Sequence, residues 1–448
     1  MMRRLLTIAV VALSVCAGAT AATAAGPPRD VRVSFGTPIE QALAWGAAAG
    51  PHGARSERAR VLASDPEALH IAVPADGNGT YRVAWSVLAA DGHAIAGTRT
   101  LVVGTPVPMA PDLAPRGADG TGPWGVLARL LVLIGLLGTL GMTFTRRAVL
   151  GLAWRSGGIA PPGDTDADGR RARALAVASA PVRTWWRTWW GLKVAWGLGL
   201  VVGLVAQVAT LGIGWGAAGT LLGDTRWGAA WIALALLSIL TDVIAVAVRR
   251  REALLDPGTG RTAALAIPAA IGVVVLAASG HAATGTDAGL GTAFNALHSW
   301  ATAAWLGGLV MLAVLAVPLL RALGSEDRVH VGAAVIVRFS SLAVVAVVVL
   351  VVTGVYRALA ELPSFDALWT TSYGVVLMVK LAIFVLMVVL AAWNRFALHP
   401  RLERDALGIS PGGASALAAL RTSIRAEVVL AALVMVSVAV LVSIPPPL

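Results

Sequence analysis

Two regimes of apolar patterning divide the chain. Over the first hundred residues apolar side chains come in short bursts: VRVSF (31–35), LHIAV (69–73), TYRVAWSV (80–87) and GTRTLVV (97–103). Within TYRVAWSV, Tyr81, Val83, Trp85 and Val87 alternate with polar or small residues, the period of a half-buried strand. Asp91-Gly92 supplies turn chemistry between two such runs. Residues 26–103 are therefore predicted as one small all-β domain of sandwich type. The stretch 104–122, GTPVPMAPDLAPRGADGTG, is rich in proline and glycine and is predicted as a linker. From there the bursts become blocks, near 124–145, 190–213, 227–248, 262–281, 296–320, 340–358, 372–393 and 424–443. Each is long enough to cross a hydrocarbon layer about 30 Å thick. The predicted fold is a polytopic α-helical membrane protein, with eight transmembrane helices in 123–448 and an amino-terminal extracytoplasmic β-sandwich.

Composition agrees, with 57% hydrophobic and 13% charged residues, where soluble domains carry about 25% charge. The net charge of +11 would suit nucleic acid. Its distribution excludes that reading, because the basic residues sit between apolar blocks, as membrane orientation requires. Residues 1–25 have a basic start, a short apolar core and small residues at the end, so a signal peptide is expected, cut near Ala22-Thr23-Ala24. With the β domain outside, the loops 146–189, 249–261, 321–339 and 394–423 face inward. Twenty Arg and Lys residues fall in or beside them, against Arg226 and Arg357 in the outer connections. Both termini are then outside the cytoplasmic membrane. Trp185, Trp186, Trp189 and Trp190 are expected to form an aromatic belt at the inner boundary, and 156–180 a loop without chemistry. Cys16 falls in the expected leader, which leaves His, Met, carboxylates and backbone as metal donors.

Candidate chemistry gathers at a few positions. His281 closes the fourth block and His298 opens the fifth. A short connection brings these lips together, as a ligand pair or as separate interfacial hydrogen-bonding groups. His298, Thr302 and Trp305 share a helical face, and Gly307-Gly308 permits close approach of another helix. Lys380 is an intramembrane cation, either functional or structural, and Tyr373 and Met387 lie seven residues to either side on its face. Asp242 and Glu427 are intramembrane acids that could pair with Lys380 or with inner arginines. Asp91 and His93 flank Gly92 and could supply part of an equatorial Cu(II) set, or simply shape a turn. There is no phosphate-binding loop, dinucleotide fingerprint, HExxH or nucleophile elbow, so no enzyme activity is expected.

The run GTYRVAWSVLAADGHAIAGTRTLVV (79–103) resembles the second half of the CopC copper-binding domain. In order and spacing, SGHA (279–282), LHSWATAAWLGGL (297–309), RFS (338–340), YG…K (373–380), NR (394–395) and RTSIRAE (421–427) resemble CopD, a copper-resistance membrane protein. The whole resembles a CopC–CopD fusion. The resemblance implies copper, as Cu(II) or Cu(I), bound outside and carried across the bilayer, with an extracytoplasmic copper chaperone as a partner. It also implies that Asp91 and His93 belong to a Cu(II) site completed by an amino-terminal histidine. This sequence departs there: AAGPPRDVRVSF has no histidine, and His52 and His70 do not match the position. Two other readings remain open. One is a haem or electron-transfer protein with His281 and His298 as axial ligands and His330 and His399 on the far side. The other is a copper sensor or assembly factor that does not transport.

Overall fold

The structure is a computed structural model describing residues 29–104, 110–152, 166–249, 258–283, 287–398, 400 and 413–444. The expected leader 1–25 lies outside the described residues. The described residues form two compact units: one holds those from 29 to 89 and from 94 to 119, the other those from 90 to 93 and from 120 onward.

The first unit is all β. Strands β1 (Asp30–Ser34), β5 (Asp65–Ala72) and β4 (Ala59–Leu62) make a three-stranded sheet in the order β1-β5-β4. A four-stranded sheet runs β3 (Arg55–Ser56), β2 (Trp45–Ala49), β6 (Gly79–Leu88), β7 (Ala94–Val103). All pairings are antiparallel. Val31, Leu69, Ile71, Val83 and Val87 share one apolar core, as period-two strands with one inward face require. The alternation in β6 is blunter than its sequence suggests, since Ala84, Ser86 and Leu88 are buried along with Tyr81, Val83 and Val87. The described part of the expected linker, 110–119, groups with this unit rather than standing free. Ala110 N donates to Thr80 O at 2.9 Å, and Arg116 lies 4.7 Å from the centre of the Trp45 ring.

Among the described residues the second unit contains eight helices long and apolar enough to cross a membrane. They are α1 (Pro123–Thr145, extended by a π-helical turn to Gly151), α2 (Ala167–Leu211), α3 (Arg226–Arg249), α4 (Thr259–Ala278), α5 (Ala288–Met311, continued to Ala322), α6 (Ser325–Glu361), α7 (Ser372–Trp393) and α8 (Gly413–Leu441). Two helices start well before their apolar blocks. α2 takes in 167–180, expected as loop, because its alanine-rich stretch favours helix and buries Ala174 and Ala178 one turn apart; residues 156–165 lie outside the described residues. α6 begins at Ser325, inside the expected 321–339 loop, and Arg328 reaches back to accept a structural task. Its Nε and Nη2 donate to Leu320 O and Leu323 O at 2.9 Å each, satisfying carbonyls at the end of α5.

The expected tryptophan belt is instead core. Trp185 and Trp189 are almost fully buried, and the four indoles pack edge to face at 4.9, 5.4 and 5.1 Å. They belong to a large apolar cluster, and buried Arg146 has its guanidinium 4.6 Å from the Trp185 ring centre. A cation this deep needs an aromatic face more than the interface needs an anchor. Trp189 Nε1 also donates to Thr143 Oγ1 at 3.0 Å.

α1 and α5 are the most enclosed spans. They cross backbone on backbone: a Cβ on Gly141 would lie 1.9 Å from Ala303 O, and one on Gly307 would lie 2.4 Å from Gly141 Cα. Neither position tolerates any side chain, which is how small residues let membrane helices approach. Replacing Gly141 with Leu is therefore expected to lower stability by about 3 kcal/mol or more, at or beyond the usual cost of overpacking. Gly191→Ala, which meets nothing within 4 Å, should be neutral. Thermal unfolding of the detergent-solubilised variants measures both.

Candidate metal centre

Asp91, Gly92 and His93 occupy the turn between β6 and β7 and belong to the helical unit. Gly92 has a φ of 88°, and a Cβ there would lie 2.8 Å from Trp227 Cδ1, so only glycine makes this turn. Gln207 fixes it further by donating to Gly92 O at 3.2 Å. Asp91 Oδ1 accepts the His93 backbone N–H at 3.0 Å and meets His93 Nδ1 at 3.1 Å. Its other oxygen, Oδ2, meets His281 Nδ1 at 2.6 Å. The two imidazoles stack with centres 4.7 Å apart and planes 16° apart. One ligand atom from each of the three residues lies within 4.8 Å of the others, a grouping that could hold a metal ion.

Burial and hydrogen bonding set the charge state. Burial works against ionised Asp91, but the hydrogen bonds to His281 and His93 outweigh it and hold the carboxyl well below the usual carboxylate range. Burial pushes His93 down; the Asp91 hydrogen bond opposes this and the charge of Arg129 adds to it. The ionised carboxylate and neutral imidazole are the forms that bind metals. One carboxylate with imidazoles is a donor set that fits Cu(II) and leaves coordination positions open. Arg129 lies 3.4 Å from His93 Nε2 and donates to Val442 O.

The expected pairing of His281 with His298 is not what the fold builds, since His281 turns to Asp91 and His93. His298 Nδ1 lies 2.8 Å from Thr353 Oγ1. The Thr353 hydroxyl donates to Val349 O at 2.6 Å, so His298 Nδ1 is the donor to Thr353 and its Nε2 is left as an acceptor. Thr302, expected on the same face, donates to His298 O at 2.8 Å within its own helix. An axial haem pair would need both histidines on one iron, which the Asp91–His281 contact works against. His330 lies in α6 rather than in a loop, and His399 is outside the described residues.

Asp91, His93, His281 and His298 nevertheless line one cavity of about 570 Å³ within the helical unit. Trp305, Tyr373, Lys380 and Met387 line it too, so the expected face of α7 is the one turned inward. Trp305 is 2% exposed, edge-on to Phe384 at 5.8 Å. The Tyr373 hydroxyl bonds Glu361, which also accepts from Arg357 at 2.9 Å, and Arg357 reaches Asn295 Oδ1 at 2.9 Å.

The two other acids do not pair with Lys380. Asp242 lies 3.5 Å from Lys193 Nζ, because α3 packs on α2. Lys193 also donates to Ser238 Oγ at 2.6 Å and sits 4.0 Å from the Trp196 ring centre. Glu427 accepts from Asn394 Nδ2. Sequence reading passed over Arg129, Lys193 and Glu361, and counted Arg357 only as a charge of the outer connections. The first two were findable, being lone cations in the apolar runs PWGVLARLLV and GLKVAWGLGL.

Comparison with known proteins fits this layout. The CopC domain family matches residues 16–104, starting inside the expected leader, and the Copper resistance protein D family matches residues 333–441. The copper transport protein CutJ of Bacillus subtilis is 25% identical over 431 residues, covering 94% of this chain and 71% of that protein. Copper resistance protein D of Pseudomonas syringae pv. tomato is 30% identical over 187 residues, which span 40% of this chain and 57% of that protein. The solved structure of CopC from Methylosinus trichosporium OB3b is 29% identical over 19% of this chain and 83% of its own, with a TM-score of 0.17. The chain thus carries a match to the CopC domain family followed by a match to the copper resistance protein D family, an order consistent with a CopC–CopD fusion.

Proposed function

We propose that this protein serves copper homeostasis by capturing copper at Asp91, His93 and His281 and passing it through the cavity across the cytoplasmic membrane. The observation that carries this reading is the grouping of an ionised carboxylate and two imidazoles with ligand atoms within 4.8 Å of one another. Copper is the metal because a relative matched over 94% of this chain is named for copper transport and one matched over 40% for copper resistance. His281 stands in for the amino-terminal histidine that the CopC resemblance leads one to expect and this sequence lacks.

The bias of basic residues toward one set of loops supports placing the cluster on the extracytoplasmic face, where copper arrives. Two imidazoles and a carboxylate favour Cu(II), and the open positions on the ion can take water or a donor from a delivering chaperone. Further in, the thioethers of Met387 and Met435 line the cavity and suit Cu(I). Arg357 and Lys380 line it as well and repel a bare cation. Arg357 is paired with Glu361, so Lys380 is the charge that acts as gate or charge balance rather than as a ligand.

Two outcomes are expected. In the purified protein, Asp91→Asn, His93→Ala and His281→Ala should each weaken Cu(II) binding about 10- to 100-fold. His52→Ala removes an imidazole tied to Asp76 in the β unit and should leave it unchanged; titration with electron paramagnetic resonance detection measures both. In cells, the double variant His93→Ala plus His281→Ala should reduce copper accumulation to the level of cells lacking the protein. Equal accumulation at equal expression would falsify transport through this cluster.

A further inference from the structure

The same cavity has features that a passing copper ion does not explain. Its volume of about 570 Å³ lies in the range of sites for small organic molecules, far larger than one hydrated ion needs. It is also open to the side. Val351 and Val355 on α6, and Leu381 and Val385 on α7, line the cavity and also lie on the exposed faces of their helices. α6 packs chiefly on α5 and α7 chiefly on α8, and the cavity reaches between α6 and α7. In a membrane this gap faces acyl chains rather than water.

Polar groups behind the gap await a partner. Lys380 has no hydrogen bond or ion pair among the described residues, and it sits eight residues into α7 from Ser372, roughly 12 Å along the helix. Trp305 Nε1 is buried without a hydrogen-bond partner among the described residues, and Trp305 lines the same cavity. Both are donors, and membrane interiors do not leave donors unpaired without cost. His298 adds the complementary function, an Nε2 that the Thr353 contact keeps free to accept. Gly354 keeps this part of the cavity roomy: a Cβ there would touch His298 Cε1 at 3.7 Å. Donors of this kind call for acceptor oxygens. The apolar walls and the depth of Lys380 disfavour a phosphate headgroup, which belongs at the interface, and favour a neutral head that resides in the hydrocarbon.

We propose that the cavity binds a lipid-soluble carbonyl compound of the quinone class, which enters between α6 and α7 and presents its ring oxygens to Lys380 and Trp305. In the reduced, hydroxyl-bearing form, His298 Nε2 accepts from the ring. The site is defined by the cavity and its unpaired donors and is independent of which metal the Asp91 cluster takes.

The experiment is equilibrium binding of decylubiquinone to the purified full-length protein, with Lys380→Met and Trp305→Phe as variants that remove one donor each at similar size. Saturable binding at one molecule per chain is expected, weakened about tenfold or more by Lys380→Met and several-fold by Trp305→Phe. Gly191→Ala should bind like the unaltered protein. Should Lys380→Met fail to fold, Trp305→Phe carries the comparison. Absence of saturable binding, affinity equal in every folded variant, or displacement of decylubiquinone by phosphatidylglycerol would each overturn the proposal. Copper titration of the same samples reports separately on the Asp91 cluster.

Discussion

Everything in the helical unit is spaced from the place where α1 and α5 meet without side chains between them. α1 contacts α2, α4, α5 and α8, so it is the post around which the bundle is arranged. With Gly141 against Gly307, α5 holds His298 and Trp305 toward the cavity while α1 brings Arg129 beside His93. Lipid offers no hydrophobic drive between helices, so the stability of this crossing comes from close van der Waals contact. That dependence makes the two glycines less replaceable than any apolar residue nearby.

The membrane interior then dictates how each charge is treated. Lys193 is wrapped by Ser238, Asp242 and an indole face; Arg146 lies over Trp185; Arg129 donates to a backbone carbonyl. These are three ways of answering one demand, that a buried cation must find donors' partners or a π face. Lys380 is treated differently, facing a cavity instead of a partner. The contrast within one bundle is what distinguishes a structural charge from one kept available.

Much of the architecture was legible in the sequence because its causes are local. A block of about twenty mostly apolar residues announces a span, and Tyr81, Val83 and Val87 announce a strand face. Gly307 announced close packing, and the heptad spacing of Tyr373, Lys380 and Met387 gave the inward face of α7. What escaped depends on partners distant in sequence. Nothing near Trp185 reveals that it covers Arg146 rather than meeting lipid. Nothing near His281 reveals that Asp91 will be its neighbour instead of His298, since two helix ends near each other need not aim their side chains together. Helix starts were misjudged for a simpler reason: alanine-rich or charged turns continue a helix beyond the apolar block that marks the membrane.

Arg328 shows how a contact at one end of a helix pair bears on the other end. Because its guanidinium closes the end of α5 from the first turn of α6, the two helices are joined as a hairpin with a fixed offset. A slip of one turn between them, about 5.4 Å, would carry Thr353 away from His298. The imidazole would then be free to exchange which nitrogen bears its proton. A side chain at the rim of the hairpin thereby acts as a register lock, and through it the helical ladder, rather than any neighbour in the cavity, chooses the tautomer that His298 presents.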